Sequence, residues 1–204
     1  SASTIRRQQQ KLALRQAILD AARQIARDEG WQAVTMRRVA ERIGYSHPTL
    51  YEFFEDKQAL LAAIHRMGFA QLRDALRAAR LSAGSADLYP RAMSLAYCEF
   101  AWQHPELYQA MHSLGGVQIN MLLITPEGES VVAEARSAVD AWAAGAGVTV
   151  RNATDAVLIM WATLHGIASL ALSEHMPGGR KQAAALAVQA VEGLHAGWKA
   201  RDYV

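Results

Sequence analysis

Two groups of side chains have the types and spacing to do chemistry. In the C-terminal half His104, His112, His165 and His175 lie close in sequence to Glu106 and Glu174, the residue types of an acid–base or metal site. Their spacing does not build one. His165 and His175 are ten residues apart, which on one helix turns them about 80° from each other. There is no HExxH pair and no clustered pair of carboxylates. The single cysteine, Cys98, has no nucleophile context with His104, excludes an internal disulfide framework and fits a reducing compartment. We expect no catalytic residue, no metal and no cofactor.

The second group is Thr35, Arg37, Ser46, His47, Thr49, Tyr51 and Lys57. Hydroxyls, cations and an imidazole concentrated in one short stretch are donors suited to phosphate oxygens and base edges. They are useful only if rigid elements present them together, and the stretch from Met36 to Glu55 reads as a helix-turn-helix. Thr35 is placed to cap a short helix carrying Met36, Val39, Ala40 and Ile43 inward. Ala40 is small where the two helices must cross, and Gly44 supplies the left-handed turn that a side chain would strain. Ser46 caps the second helix, with Pro48 just inside it. Val39, Ile43, Tyr45, Leu50 and Phe53 are expected to lock the two helices together, leaving the other face of the second helix for a major groove.

The run from Thr35 to Lys57, followed by Leu60-Leu61, resembles the DNA-binding region of the TetR family. Gly44, Thr49-Leu50-Tyr51, Phe54, Lys57 and a preceding helix ending at Gly30 carry the resemblance, which covers about residues 11–65. Trp161-Ala-Thr-Leu-His165-Gly166 is similar to the Trp-x-x-x-His-Gly pattern of some C-terminal domains in that family, a shorter and less specific match. The resemblance implies that Thr35 contacts a phosphate besides capping its helix. It implies that Tyr51 binds the DNA backbone, against the alternative of a half-buried aromatic. Lys57 lies in the first turn of a helix, where the macrodipole disfavours a cation; a bound phosphate reverses that sign. Base reading falls to Ser46, His47 and Thr49, and to Arg37 unless that arginine is only solvated. Arg6, Arg7 and Lys11 form either a disordered arm reaching the minor groove or a solvated tail.

The elements around this motif are helical throughout. Leu14, Ile18, Ala22 and Ile25 make one stripe, and Asp56 caps a long helix running to about Arg80. Further helices are expected at about 88–104, 105–113, 126–144, 153–175 and 180–200, with breaks at Pro105, Gly115-Gly116, Gly145-Ala-Gly147 and Pro177-Gly-Gly179. The predicted fold is all-α: an N-terminal three-helix DNA-binding module, residues 1–56, a connecting helix 57–80, and a C-terminal helical bundle 81–204 for ligand binding and dimerisation.

Charge supports that division. Residues 1–80 hold fourteen Lys/Arg against eight Asp/Glu, and the remainder seven against eleven. A basic first part on an acidic second part fits a nucleic-acid module joined to something else. No apolar run approaches the ~18 residues of a membrane span, and residues 1–10 are polar and basic, unlike a signal peptide. We expect a cytoplasmic protein without membrane contact.

One helix-turn-helix offers few contacts, so a homodimer on a palindromic double-stranded operator is expected. The stripe Ala162, Gly166, Ser169 and Ser173, and the apolar face Ala183, Ala187, Val191, Leu194 and Trp198, suit either a dimer interface or the core. Tyr97, Trp102, Tyr108, Met111, Trp142, Trp161 and His165 are expected to line a pocket for a small hydrophobic or aromatic inducer, unless they are ordinary core. The expected function is a transcriptional regulator that represses until such a ligand releases it. The alternatives are an all-helical regulator working through protein partners and a small-molecule-modifying enzyme.

Overall fold

Local capping chemistry sets where the helices begin and end. Thr35 Oγ1 accepts the backbone N–H of Arg38 (3.2 Å), and Asn152 and Thr125 cap two later helices in the same way. Asp56 accepts the N–H of Ala59 on its carboxylate (2.7 Å) and that of Leu60 on its carbonyl (3.2 Å). In the computed structural model, which describes residues 2–117 and 125–201, these signals delimit nine helices among the described residues. They are α1 (Ala2–Glu29), α2 (Met36–Ile43), α3 (His47–Tyr51), α4 (Lys57–Ser82), α5 (Tyr89–Gln103), α6 (Pro105–Met111), α7 (Pro126–Ala146), α8 (Ala153–Leu172) and α9 (Gly179–Arg201). Short 3-10 turns occupy Trp31–Ala33 and Ala86–Leu88, and no strand occurs among the described residues. The all-α class is as expected.

The chain forms two compact units, one of Ser1–Gly68 with Glu106–Leu123, the other of Phe69–Pro105 with Ile124–Val204. Packing therefore divides the chain inside α4, and α6 belongs with the first unit.

In the first unit Ile18, Leu19, Ala22 and Ile25 of α1 are buried, as are Val39 and Ala40 of α2, Leu50 of α3 and Leu60, Leu61 and Ile64 of α4. Leu107 and Tyr108 of α6 are fully buried here too. A Cβ on Gly68 would come within 2.6 Å of Met111 Cγ and Sδ, so α4 and α6 pass closely at this glycine.

The same unit contains a buried charge. Glu106, 1% exposed, accepts Nη2 of Arg23 (2.9 Å) and Nη2 of Arg27 (2.8 Å). The Nε atoms of both arginines lie at 3.2–3.3 Å from the same carboxylate. Trp31, 2% exposed, donates its indole N–H to the Glu106 carbonyl (3.2 Å). Burial alone would push the Glu106 carboxyl up; hydrogen bonds from Arg27 and Arg23 outweigh it and hold the carboxyl below its ordinary range.

In the second unit α5 and α8 pack on α9, and α7 on α8. Val139, Trp142, Ala156, Val157 and Trp198 form its core. Ala183, Ala187, Val191 and Trp198 of α9 are buried within the chain, so that apolar face is core. The face of α8 differs: Leu158, Ile159, Trp161 and Leu170 are exposed, and no heavy atom lies within 4 Å of a Cβ built on Gly166. Helix α8 also corrects an expectation. Its 20 residues, with mean hydropathy 1.6 in the most apolar window, are long and apolar enough to cross a membrane by length and composition, although Asp155 lies in its first turn.

Breaking the Glu106 cluster should be costly. Glu106→Gln leaves Arg23, whose side chain is only 14% exposed, without its buried counter-charge and with only the exposed Asp20 at 3.6 Å, and should lower stability by roughly 3 kcal/mol, the lower end for breaking a buried pair. The folded carboxyl titrates below the unfolded value of about 4.3, so its stabilisation is present above that pH and fades as pH falls through the folded value. Denaturant titrations should accordingly show the wild-type advantage at neutral pH and its shrinkage below about pH 4. Equal stability of the two proteins at pH 7 would contradict the assignment.

Candidate nucleic-acid interface

The helix-turn-helix is built around one turn. Gly44 sits in the left-handed region (φ 72°, ψ 27°), and its N–H and that of Tyr45 bond back to the end of α2, Tyr45 N to Ala40 O at 3.1 Å. The turn closes α2, and α3 follows at once, from His47 to Tyr51. Leu50 points inward at 0% exposure and Phe54 at 4%, so the remaining residues of α3 form an outer surface.

That surface carries most of the expected ligands. Ser46, His47 and Tyr51 are exposed and Thr49 is half-buried. Ser46 does not bond the backbone of its own helix; its hydroxyl and that of Thr49 share a hydrogen bond at 2.7 Å. His47 and Tyr51, one turn apart, stack edge-to-face with ring centroids 5.0 Å apart, and Tyr51 Oη lies 3.5 Å from His47 Nε2. On α2, Thr35 is exposed at the N-terminus and Arg37 is 80% exposed, with Nε on Glu41 at 2.8 Å. The neighbours Arg38 and Arg42 are turned to α1 instead, paired with Glu29 and Asp28. Lys57 begins α4 half-buried, with Nζ 3.4 Å from the Trp31 carbonyl, and burial lowers its ammonium pKa.

Three features of this region differ from the sequence expectation, the first being that Ser46 precedes α3 without capping it through its side chain. Tyr45, expected to lock α2 to α3, is 49% exposed and adds an aromatic beside Ser46 on the outer surface. Arg6, Arg7 and Lys11, expected in a disordered arm or a solvated tail, all lie on α1, which is helical from Ala2. The segment has no periodic apolar residues to announce a helix.

The seven residues expected around a ligand are distributed over both units. Tyr108 and Met111 are buried in the first, Tyr108 against His112 with centroids 4.6 Å apart. In the second, Tyr97 is buried on α5, and Trp142 is core, its ring 4.4 Å from His195 and 6.4 Å from Trp198. Sequence reasoning misses His195 because a lone histidine on a helix has no signature. Trp161 is 43% exposed on α8, tilted against His165 at 5.9 Å, and burial lowers the His165 pKa. Trp102 is half-buried, and its indole Nε1 is buried with no acceptor among the described residues. A groove of about 390 Å³ between α5 and α9 is lined by Arg91, Leu95, Ala184, Val188, Gln189 and Glu192, and by none of these seven.

Comparisons with known proteins give this geometry relatives. Residues 18–64 match the profile of bacterial regulatory proteins of the tetR family, and residues 90–194 that of a tetracyclin repressor-like C-terminal domain. The chain is 42% identical over 50 residues to the class C tetracycline repressor of Escherichia coli, a match covering 24% of this chain and 23% of that protein. It is 28% identical over 162 residues to an HTH-type transcriptional regulator of Mycobacterium tuberculosis, covering 78% and 70% of the two chains. A solved structure of a protein of unknown function from Rhodococcus sp. RHA1 superposes with a TM-score of 0.78 at 27% identity, covering 90% of this chain and 94% of that one. With both halves matched, this chain belongs to the TetR family of bacterial transcriptional regulators.

Proposed function

We propose that this regulator is a repressor that binds a palindromic double-stranded operator as a homodimer and is released by a small hydrophobic or aromatic ligand. The observation carrying the DNA reading is the outer surface of α2 and α3. Thr35, Arg37, Ser46, His47, Thr49 and Tyr51 stand exposed or half-exposed over a helix pair whose inner face, Val39 and Leu50, is fully buried. Thr35, Tyr51 and Lys57 bind phosphates, while Ser46, His47, Thr49 and Arg37 read base edges. Magnitudes favour Arg37 leaving Glu41 for DNA. An exposed ion pair contributes roughly 0.2–1 kcal/mol, whereas a bidentate contact to guanine discriminates by about 1–3 kcal/mol. In this reading residues 1–56 bind DNA, 57–80 connect, and 81–204 hold the ligand and dimerise, and the protein works in the cytoplasm.

The exposed face of α8 supports the homodimer. Leu158, Ile159, Trp161 and Leu170 are large apolar residues left uncovered in the single chain, and Ala162 and Gly166 are small residues beside them. A second copy of α8 would bury them, with Gly166 allowing close approach. The ligand reading rests on the second unit, where Tyr97 and Trp102 lie on α5. The strongest support is the indole N–H of Trp102, a buried donor without an acceptor among the described residues, which suits one polar atom of an otherwise apolar molecule. A ligand preferring a conformer with misplaced recognition helices lowers operator affinity by linkage.

Substitutions separate these roles. Lys57→Ala should weaken binding about equally on all sequences and flatten the salt dependence, by about 0.9 in slope for each phosphate no longer neutralised. Arg37→Ala should relax preference at one base position per half-site, costing about 1–3 kcal/mol there. Titrations of both variants on a duplex library at several salt concentrations measure this. A salt-independent wild-type affinity would refute the phosphate assignments. Gly166→Leu should weaken the dimer by about 1–3 kcal/mol through overpacking, read by sedimentation. An unchanged dimer would place the interface elsewhere.

A further inference from the structure

The first three turns of α1 bury no face of their own. Residues 3–13 are exposed, including Ile5 at 59% and Leu12 at 62%. A helix gains most of its stability from burying one face, and this stretch does without that gain. Its charges make matters worse. Arg7, Lys11 and Arg15 follow one another at four-residue spacing, so they lie along one face as like-charge neighbours, which repel. Residues 1–19 include no Asp or Glu, and among the described residues Arg6 and Arg7 have no acidic partner. The direction of the stripe is fixed at its inner end. Lys11 Nζ stands 5.9 Å from the centre of the Phe53 ring, and the Arg15 guanidinium 5.1 Å from that of Phe54, both residues just beyond the end of α3. The inner end of the basic face of α1 is thus turned toward the segment that follows the recognition helix.

We infer that the Arg7–Lys11–Arg15 stripe is a second, sequence-independent contact that lies along the phosphate backbone of duplex DNA beside each half-site. This rests on the DNA reading above and adds to it. The major-groove surface of α2 and α3 selects the sequence, while this stretch of α1 adds a contact with cations about 6 Å apart. Phosphates relieve the repulsion along the stripe, so DNA stabilises this stretch of α1. A membrane surface would also attract such a stripe, but the placement of Lys11 and Arg15 beside the recognition helix favours DNA.

The test uses the full chain and a mixed-sequence duplex long enough to cover both half-sites and their flanks. Arg7→Gln with Lys11→Gln keeps strong helix formers and removes two cations per protomer. The slope of log affinity against log salt should become shallower by about 0.9 per phosphate released, hence about 3–4 for a dimer. Arg7→Glu is the second variant. It sets a glutamate four residues before Lys11, which favours the helix, yet it should weaken DNA binding further. Circular dichroism of the variants checks that the helix persists. If wild type binds with a steep salt slope and both variants match it, the stripe assignment is overturned and the DNA reading stands. If wild type shows no salt-dependent binding, the DNA reading itself fails. If the variants lose binding to vesicles rich in anionic lipid while their DNA slope is unchanged, the stripe belongs to a membrane and the inference is wrong.

Discussion

One buried carboxylate organises the first unit. Glu106 sits at the start of α6, far along the chain from the helix-turn-helix, yet it is held by Arg23 and Arg27 of α1 and through its carbonyl by Trp31. Arg23 and Arg27 are one turn apart, so α1 presents a two-armed clamp that the carboxylate fills with both oxygens. An uncompensated charge at 1% exposure costs several kcal/mol, so α6 and α1 are energetically bound to one another. Because the chain leaves this unit after Gly68 and returns at Glu106, α4 and α6 are covalent connections between it and the rest of the molecule. The close passage of α4 and α6 at Gly68 and Met111 ties those two connections together.

The recognition surface depends on that unit being rigid. Helix α3 is only five residues long and has no stability of its own. It is held by Leu50 in the core, by the left-handed turn at Gly44, and by the ion pairs that fasten α2 to α1 through Arg38 and Arg42. With its inner face fixed, the outer hydroxyls and rings bond to each other in pairs, Ser46 with Thr49 and His47 with Tyr51. These pairs are weak and exposed, so DNA can replace them at small cost.

Much of this is legible in sequence because the signals are local. The caps Thr35 and Asp56 and the turn glycine Gly44 each act over three or four residues, and the structure places them as expected. Helix ends in the second unit fall within a few residues of their glycines and prolines. What stays hidden is non-local. The Arg23–Glu106 and Arg27–Glu106 pairs span 83 and 79 residues, and no periodicity links such partners. The apolar stripe of α9 reads the same whether it faces a neighbouring helix or a second copy; in the structure Ala183, Ala187 and Val191 are core. Tyr45 misleads for a related reason, since an aromatic beside a turn can face either way, and it faces out. The expected pocket residues stand out by type alone, and type does not say that Trp142 packs against His195 and Trp198.

If two copies of this helix-turn-helix read DNA with two-fold symmetry, the symmetry must appear in the DNA they choose. Selection of bound duplexes from a random library by the wild-type protein, followed by sequencing, tests this most directly. The expected result is enrichment of one palindromic motif whose half-site centres are about 34–36 Å, or a multiple of one helical turn, apart. Enrichment of a single unsymmetrical site, or of no sequence at all, would contradict two-fold recognition.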